Sequence, residues 1–427
     1  LPMDFAESFT RLELAALEHQ SQLERLAAQQ RSLQRAHALL LSEHVNLAEE
    51  HAVLCDCLSK SSVVSEVEVE EVRRSRRRSA ALRQALQAPE LAAAVGFAAG
   101  LRASRQLATA SRLHGDGLRR FLPTLQRQLP RILYVCGGST GNEELSVAEC
   151  LRIPGTGAPQ NFHQDATLDW QPVPDVPTAR RWCGAADASG MVYVFGGHNG
   201  TQYLDAAERF NAELGSWEAL PPMPRPREGC AVATAGGVLY VFGGSHGERA
   251  LATAEQFDPR DWSWSALRVM LYPCDACAAA ADKVGRTVFV AGGRDAAHFL
   301  DAAQSLDLTT NMWSLLPPMP TARLGCAAAY SAGGFFVAGG HGHGQALAHF
   351  ERFDVAGEFW ERLEPMPTAR LGCAAVAANG HIHVFGGHNG ERALGVVEQF
   401  DVSTRRWTAL PPLRNPRYAI AAAVAIV

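Results

Sequence analysis

Short alternating apolar runs, separated by Gly, Pro and Asn-Gly turns, recur from about Leu129 to Val427 and predict a series of β-strands. One apolar run in each unit ends in a Gly-Gly pair, as in "YVFGG". The first glycines of these pairs are Gly137, Gly196, Gly243, Gly292, Gly339 and Gly386. Their last four intervals are 47, 49, 47 and 47 residues, so one supersecondary unit is repeated along the chain.

Each unit has the pattern of a four-stranded antiparallel sheet with both faces covered. The glycine pair allows close backbone approach at a point where a Cβ atom would collide with the next sheet. A tryptophan 21 residues after the first glycine supplies a large apolar surface for packing sheet on sheet. It occurs in five copies, at Trp217, Trp264, Trp313, Trp360 and Trp407.

The two ends of the repeat region complement each other. The first copy begins at its second strand, "RILYVCGG", and the chain ends in a spare first strand, "NPRYAIAAAVAIV". Together they predict a mainly β fold, a six-bladed β-propeller over residues 131–427 that is closed by the C-terminal strand and leaves no free sheet edge. An insertion of 12 residues before Trp170 in the first copy is predicted as a solvated loop, with a partner contact as the alternative.

Residues 1–130 have a different periodicity. Phe5 to Leu58 contains no Pro or Gly, and apolar residues recur every seven positions from Phe5, apart from His19. This predicts a coiled-coil helix over residues 1–60 and self-association through residues 5–58, with an intramolecular hairpin as the alternative. Shorter helices over residues 62–114 and a linker over 115–130 are predicted to follow. Arg73–Arg78 is predicted as a solvated helix face, with a nuclear signal or an acidic-surface contact as alternatives.

Charge and hydropathy exclude some classes of partner. Residues after 130 include 22 basic and 29 acidic side chains, so the predicted propeller carries a net charge of −7. A net-acidic body argues against nucleic-acid binding. No apolar run reaches the roughly 20 residues needed to span a bilayer, and the N-terminus lacks a signal-sequence pattern. We therefore expect no membrane contact and a cytoplasmic location, or a nuclear one if Arg73–Arg78 is a signal.

The ten cysteines and the loop histidines do not predict a metal or cofactor site. Five cysteines fall at one repeat position, which predicts a small core residue in each blade: Cys183, Cys230, Cys277, Cys326 and Cys373. Cys274-x-x-Cys277 lacks the second pair that a four-ligand zinc site requires. Four histidines follow Gly-Gly pairs and are predicted as turn residues: His198, His341, His343 and His388.

A ring of arginines is the strongest candidate binding site. These residues precede the innermost strand of successive blades and should converge at one mouth of the central channel: Arg180, Arg227, Arg323, Arg370 and Arg417. Guanidinium groups bind carboxylate or phosphate in bidentate fashion. The alternative is a structural pair with the glutamate that recurs 12 residues after each first glycine. Cys274 replaces the arginine, and Gln304 the glutamate, in one copy each.

The residue after each arginine predicts a channel mouth with two sides. One side carries Arg181, Glu228 and Asp275, and the other carries Leu324, Leu371 and Tyr418. An acidic and apolar peptide is expected to bind toward the second side, because like charges would repel it from Glu228 and Asp275.

The repeat resembles a known family. Gly-Gly, Glu-x-Phe-Asp as at Glu398–Asp401, then Trp and Pro-Met-Pro-x-x-Arg, together resemble the kelch repeat over about 300 residues. In kelch-domain substrate receptors, arginines at this repeat position line the pocket that captures acidic peptide motifs. In the best-known kelch family, BTB and BACK domains precede the propeller and join it to a cullin-3 ubiquitin ligase. Residues 1–128 resemble neither domain, so contact with cullin-3 would need an upstream domain.

We therefore predict a non-enzymatic protein-interaction module without a cofactor, which binds a partner peptide at the arginine-ringed channel mouth. The resemblance implies a substrate adaptor of a cullin-3 ubiquitin ligase. A cytoskeletal, actin-associated scaffold is one alternative. A six-bladed kelch enzyme of the sugar-acid isomerase type is the other.

Overall fold

The structure is a computed structural model that describes residues 130–155, 168–247, 249–282, 284–295 and 297–426. In this part of the chain the elements are strands joined by turns, with no α-helix, and so no helix there could cross a membrane. The coiled coil predicted over 1–60, the helices over 62–114 and almost all of the linker over 115–130 lie outside the described residues. Most of the insertion in the first copy, at 156–167, lies outside them as well.

The strands form six antiparallel sheets of four strands, which we call blades I to VI. Blade I contains β1 (Arg131–Cys136), β2 (Ala148–Ile153), β3 (Gln171–Val173) and β28 (Ala421–Ile426). Blade II contains β4 (Gly184–Ala188), β5 (Met191–Phe195), β6 (Ala207–Asn211) and β7 (Ser216–Ala219). Blade III contains β8 (Ala231–Ala235), β9 (Val238–Phe242), β12 (Ala254–Asp258) and β13 (Ser263–Ala266).

The remaining blades follow the same plan. Blade IV contains β14 (Ala278–Ala281), β15 (Thr287–Ala291), β16 (Ala303–Asp307) and β17 (Met312–Leu316). Blade V contains β18 (Ala327–Ser331), β19 (Gly334–Ala338), β22 (Phe350–Asp354) and β23 (Phe359–Arg362). Blade VI contains β24 (Ala374–Ala378), β25 (His381–Phe385), β26 (Val397–Asp401) and β27 (Arg406–Leu410). Two small hairpins lie in loops of blades III and V: β10 (Ser245–His246) with β11 (Arg249–Ala250), and β20 (His341–Gly342) with β21 (Gln345–Ala346).

The predicted six-bladed propeller and its closure are confirmed. The C-terminal strand β28 pairs with β1 in a sheet of order β28-β1-β2-β3, so the two ends of the repeat region complete one blade. This pairing supplies blade I with the inner strand that β4 supplies to blade II. Every blade therefore has four strands, and β1 is paired on both of its edges.

A closed ring of backbone hydrogen bonds joins the inner edges of the blades. In each blade, the residue just before the inner strand region donates its N–H to the carbonyl of its counterpart in the preceding blade, at 2.7 to 2.9 Å. We call this ring the inner ring, and its six members are Trp182, Gly229, Ala276, Gly325, Gly372 and Ala419. The bond from Trp182 N–H to the Ala419 carbonyl closes the ring between blades II and I.

A second ring joins the outer strands. Six tryptophans each donate the indole N–H to a backbone carbonyl of the preceding blade, at 2.7 to 3.0 Å. The five tryptophans with regular spacing bond carbonyls 43 or 45 residues earlier. Trp170, which is fully buried, instead bonds the Pro411 carbonyl near the end of the chain and so ties blade I to blade VI. Buried indoles need such an acceptor, and here it fixes one blade against the next.

The apolar core consists of six layers, one between each pair of neighbouring blades. Leu133 and Trp170 of blade I pack with Phe385 of blade VI in one of them, with the Trp170 and Phe385 ring centroids 5.9 Å apart. The inner strands are rich in alanine, and β14 consists of four alanines. Blades converge toward the channel, so small side chains fill the narrow end of each layer and aromatic ones the wide end.

The Gly-Gly pairs have the predicted role. Gly196 has a φ of +60°, and a Cβ atom there would lie 2.6 Å from the carbonyl oxygen of Arg227 in the next blade. Gly197 donates its N–H to that same carbonyl at 2.8 Å. The pair therefore permits both the left-handed backbone and the contact between blades.

His383 is an exception within the core. It is 1% exposed, and neither ring nitrogen has a hydrogen-bond partner among the described residues. The other five blades place an aromatic side chain at this repeat position: Tyr134, Tyr193, Tyr240, Phe289 and Phe336. Burial, reinforced by the charge of His381, lowers the pKa of His383 from 6.5 to about 4.

We expect His383→Phe to stabilise the propeller, by about 1 to 3 kcal/mol at neutral pH, because it removes unpaired buried polar atoms. The unfolded state binds a proton more tightly than the folded state, so stability present above pH 6.5 is lost as the pH falls toward 4. The variant should not show this contribution to acid sensitivity. Urea titrations at pH 7.5 and pH 5 measure both effects, with His343→Gln, at an exposed histidine, as the control. Equal pH dependence in the wild type and His383→Phe would contradict the prediction.

Candidate functional site at the channel mouth

The five predicted ring arginines are fully buried, with an exposed fraction of 0%. Arg370 Nη2 donates to Glu398 Oε2 at 2.7 Å, and its Nη1 donates to the carbonyls of Gly386 and Val396 at 3.0 Å each. The other four arginines make equivalent ion pairs: Arg180 with Glu208, Arg227 with Glu255, Arg323 with Glu351, and Arg417 with Glu149. Each guanidinium is therefore neutralised inside its own blade.

Blade IV lacks both members of this pair. Cys274 stands at the arginine position and Gln304 at the glutamate position, and both are buried. Gln304 Oε1 accepts the Leu271 N–H at 2.9 Å, as Glu149 Oε2 accepts the Arg414 N–H at 3.1 Å in blade I. Loss of the arginine alone would leave a buried carboxylate without a counter-ion, which is costly. The joint replacement by neutral residues indicates that the arginine and glutamate act as a structural pair.

The arginine ring thus offers no surface to a partner in this conformation. Peptide contact through Arg180, Arg227, Arg323, Arg370 and Arg417 would need guanidinium groups that a partner can reach, and in the structure these five are buried and paired with glutamates. The alternative, a pair with the recurring glutamate, is the arrangement that the structure contains. The charge of the channel mouth is set instead by the residues that follow the arginines.

These following residues form a rim of two halves, in the order of the blades. Arg181, Glu228 and Asp275 lead into blades II, III and IV, which adjoin one another. The other half, which we call the apolar arc, consists of Leu324, Leu371 and Tyr418, leading into blades V, VI and I. All three side chains of the apolar arc are partly exposed. Each rim residue forms an isolated β-bridge with a loop residue behind it, as Leu371 does with His388. The ring centroids of His388 and Tyr418 lie 5.2 Å apart.

The charged half contains two ion pairs and one further carboxylate. Arg181 Nη1 lies 3.0 Å from Glu144 Oε1, and Arg294 Nε lies 3.0 Å from Asp275 Oδ2. Burial raises the pKa of Asp275, although the bond from Arg294 opposes this shift. Burial also raises the pKa of Glu228, which lies between the two pairs.

Trp182 extends from blade II toward the opposite side of the mouth. Its φ of +52° lies in the left-handed region, and the other five positions of the inner ring are occupied only by Gly or Ala. A Cβ atom added to Gly325 would lie 3.1 Å from Trp182 Cη2, and one added to Gly372 would lie 3.4 Å from it. The indole therefore borders blades V and VI, beside the apolar arc. Behind it lies a cavity of about 100 Å³, lined mainly by Gly, Ala and Cys of the inner strands.

Two family models match this part of the chain. The model described as the KLHDC2/KLHL20/DRC7 Kelch-repeats domain matches residues 270–427. The model described as the Kelch motif matches residues 183–224 and 226–270. The chain belongs to the kelch-repeat β-propeller family. No curated protein matches the chain by sequence comparison.

The five cysteines at the shared repeat position of this kelch propeller are core residues. Burial raises the pKa of Cys183, Cys230 and Cys326 to about 12, so these thiols stay protonated and unreactive at neutral pH. A hydrogen bond with the Cys274 thiol, together with burial, holds the pKa of Cys277 well above its usual value. Within the described residues, no group of three or more His, Cys, Asp or Glu side chains is placed to hold a metal ion.

Two of the four loop histidines close turns, and His343 lies in a turn as predicted, whereas His341 lies in β20. The Gly200 N–H donates to His198 Nδ1 at 2.9 Å, and the Gly390 N–H donates to His388 Nδ1 at 3.0 Å. Each imidazole thereby closes the turn that follows its Gly-Gly pair. These rings also form part of the wall behind the rim.

Sequence reasoning missed Trp182 as a candidate site residue. Its signal was present in the alignment of the repeats, since Trp182 occupies a position that is otherwise Gly or Ala. A large side chain in a column of small ones marks a local change in the surface. The direction of the indole, across the mouth, follows only from the closed ring.

Proposed function

We propose that this kelch propeller is a protein-interaction module that binds a segment of its partner on the apolar arc and the adjoining Trp182. The observation that carries the proposal is the position of Leu324, Leu371 and Tyr418. They lie side by side and partly exposed at the channel mouth, next to an indole in a strained backbone conformation. Sparsely populated backbone conformations of bulky residues concentrate at functional sites. Aromatic and aliphatic anchors of this kind supply most of the energy at protein interfaces.

The expected acidic motif in the partner loses its main support. That expectation relied on five cations at the mouth, and all five are paired within the blades. The partly exposed cations Arg181 and Arg294 each face a carboxylate already. Apolar contact is therefore the primary attraction in this proposal.

We extend the proposal to substrate presentation for a cullin-3 ubiquitin ligase on the resemblance alone. Self-association through residues 5–58, which lie outside the described residues, would present two propellers and increase avidity. The scaffold and sugar-acid isomerase alternatives remain predictions, and no feature of the described site favours either.

Affinity purification with quantitative mass spectrometry tests the proposal. The wild type is compared with Leu371→Glu and Trp182→Gly; glycine occupies the Trp182 position in three other blades, so the backbone accepts it. Leu315→Glu, at a leucine 57% exposed on the outer strand β17, is the matched control. We expect both mouth variants to lose a specific partner at least about tenfold and the control to keep it. Cullin-3 retained by all four proteins would support the adaptor role.

Equal recovery of every partner by the mouth variants and the wild type would overturn the proposed site. Loss of the partner by Leu315→Glu alone would move the interface to the outer face of blade IV. Thermal melts of each variant are the control that tests whether its propeller is folded.

A further inference from the structure

Glu228 is a carboxylate at the mouth that the propeller leaves without a partner. Its Oε2 is buried and accepts no hydrogen bond from the described residues, and Glu228 makes no ion pair with them. Its backbone is fixed, because the Glu228 N–H donates to the Ser245 carbonyl at 3.0 Å and the Ser245 N–H donates back at 2.8 Å. The rest of the side chain is partly exposed at the rim, where a cation on a bound partner would meet an unpaired carboxylate.

Both guanidinium groups near Glu228 are already engaged, and its other basic neighbour, His198, accepts the Gly200 N–H through Nδ1. Arg181 pairs with Glu144 on one side and Arg294 pairs with Asp275 on the other. The charged half of the rim therefore holds three carboxylates and two guanidinium groups, and its net charge is negative. This matches the acidic character of the whole propeller and attracts a cation from solution.

Glu228 also adjoins the apolar part of the site. The Gly229 N–H, in the residue after Glu228, donates to the Trp182 carbonyl at 2.8 Å. From there the Trp182 indole extends toward Gly325 and Gly372, beside Leu324 and Leu371. A carboxylate, an indole and the apolar arc thus follow one another across the mouth.

We propose that the partner segment carries a lysine or arginine close to a large apolar side chain. The cation binds Glu228, and the apolar side chain packs on Trp182 and the apolar arc. This inference rests on the proposed function and specifies the chemistry of its ligand. The Glu228 side chain is partly exposed at the rim, so a guanidinium or ammonium group can form a charge-assisted bond with its carboxylate, and such a bond is stronger than a neutral one. An acidic partner would instead meet Glu228 and Asp275 with like charge.

Fluorescence anisotropy of labelled peptide pools on the full chain tests the inference. Each pool fixes two positions, adjacent or one residue apart, within an otherwise mixed Gly, Ser and Ala hexapeptide. The fixed pairs are Arg with Leu, Gln with Leu, Glu with Leu, and Arg with Ser. We expect the pools that fix Arg with Leu to bind at least about tenfold more tightly than the pools that fix Glu with Leu.

Variants assign the charge preference to Glu228. We expect Glu228→Gln to weaken binding of the Arg and Leu pools at least about tenfold, while the Gln and Leu pools bind as before. Glu391→Gln removes one exposed charge from a loop after a Gly-Gly pair in blade VI and should change neither pool. Leu371→Glu and Trp182→Gly should weaken every pool that contains Leu.

The outcomes separate the inference from the proposed function. Tighter binding of the Glu and Leu pools, or an unchanged preference in Glu228→Gln, overturns the inference while the apolar site stands. Binding that is insensitive to both Leu371→Glu and Trp182→Gly overturns the proposed site as well. Absence of saturable binding by any pool overturns the inference, and the capture experiment then decides the proposed function independently.

Discussion

Replacement of Arg370 by cysteine is expected to lower the free energy of unfolding by about 3 to 5 kcal/mol. The change leaves Glu398, which is 3% exposed, without its counter-ion. It also leaves the Gly386 and Val396 carbonyls without the Nη1 donor. The double variant Arg370→Cys with Glu398→Gln copies blade IV and should recover much of the loss. Urea titrations of the wild type, both single variants and the double variant form the thermodynamic cycle.

The control for this cycle is an exposed ion pair. Arg405 lies 2.6 Å from Glu361, and its side chain is 58% exposed. Surface pairs of this kind contribute up to about 1 kcal/mol, so Arg405→Ala should change stability little. A cost for Arg370→Cys no greater than that for Arg405→Ala would show that the buried pair is not structural, as would additive effects of the two single changes.

Deletion of residues 421–427 is expected to abolish the cooperative unfolding transition of the propeller. The deletion removes β28, whose buried alanines pack into the layers on both sides of blade I. Loss of the β28–β1 hydrogen bonds and of the β28 side chains from two apolar layers should lower the free energy of unfolding by about 5 to 10 kcal/mol. This is comparable to the whole stability of an ordinary domain. Thermal unfolding followed by circular dichroism, together with limited proteolysis, measures the effect.

A transferred strand provides the control for the deletion. Residues 421–426 are placed before Arg131 in the truncated protein and joined to it by an Asn-Gly turn, so that the inner strand of blade I reaches β1 from the other end. This variant should regain a cooperative transition, because closure of the ring requires the strand and not its position in the chain. A sharp transition near that of the wild type in the truncated protein would contradict the account of closure.

The fold could be predicted because the spacing of the sequence repeat determines the number and order of the strands. Glycine pairs, tryptophans and the unmatched strands at the two ends fix the number of blades and the closure, and each depends on spacing alone. The alanine-rich inner strands had a clear physical cause as well, since the blades converge there. The structure adds the partner of each polar atom, such as the Pro411 carbonyl that Trp170 bonds across 241 residues.

The site was predictable only in part. Spacing placed Arg370 and Leu371 at the channel mouth but could not decide whether the guanidinium faces solvent or Glu398. That decision depends on whether two side chains from different strands lie within bonding distance. The joint departure of Cys274 and Gln304 was the one sequence signal for pairing, and it becomes clear only when both positions are assigned to the same blade.

The most direct test compares the neighbouring residues Arg370 and Leu371, of which the first is proposed to stabilise the fold and the second to bind the partner. Thermal stability and partner recovery are measured together for Arg370→Cys with Glu398→Gln and for Leu371→Glu. We expect the paired replacement, once folded, to keep the partner, and we expect Leu371→Glu to melt like the wild type but lose the partner at least about tenfold. Loss of the partner by the folded paired replacement, with full binding by Leu371→Glu, would contradict the proposed site and indicate that the arginine ring binds the partner.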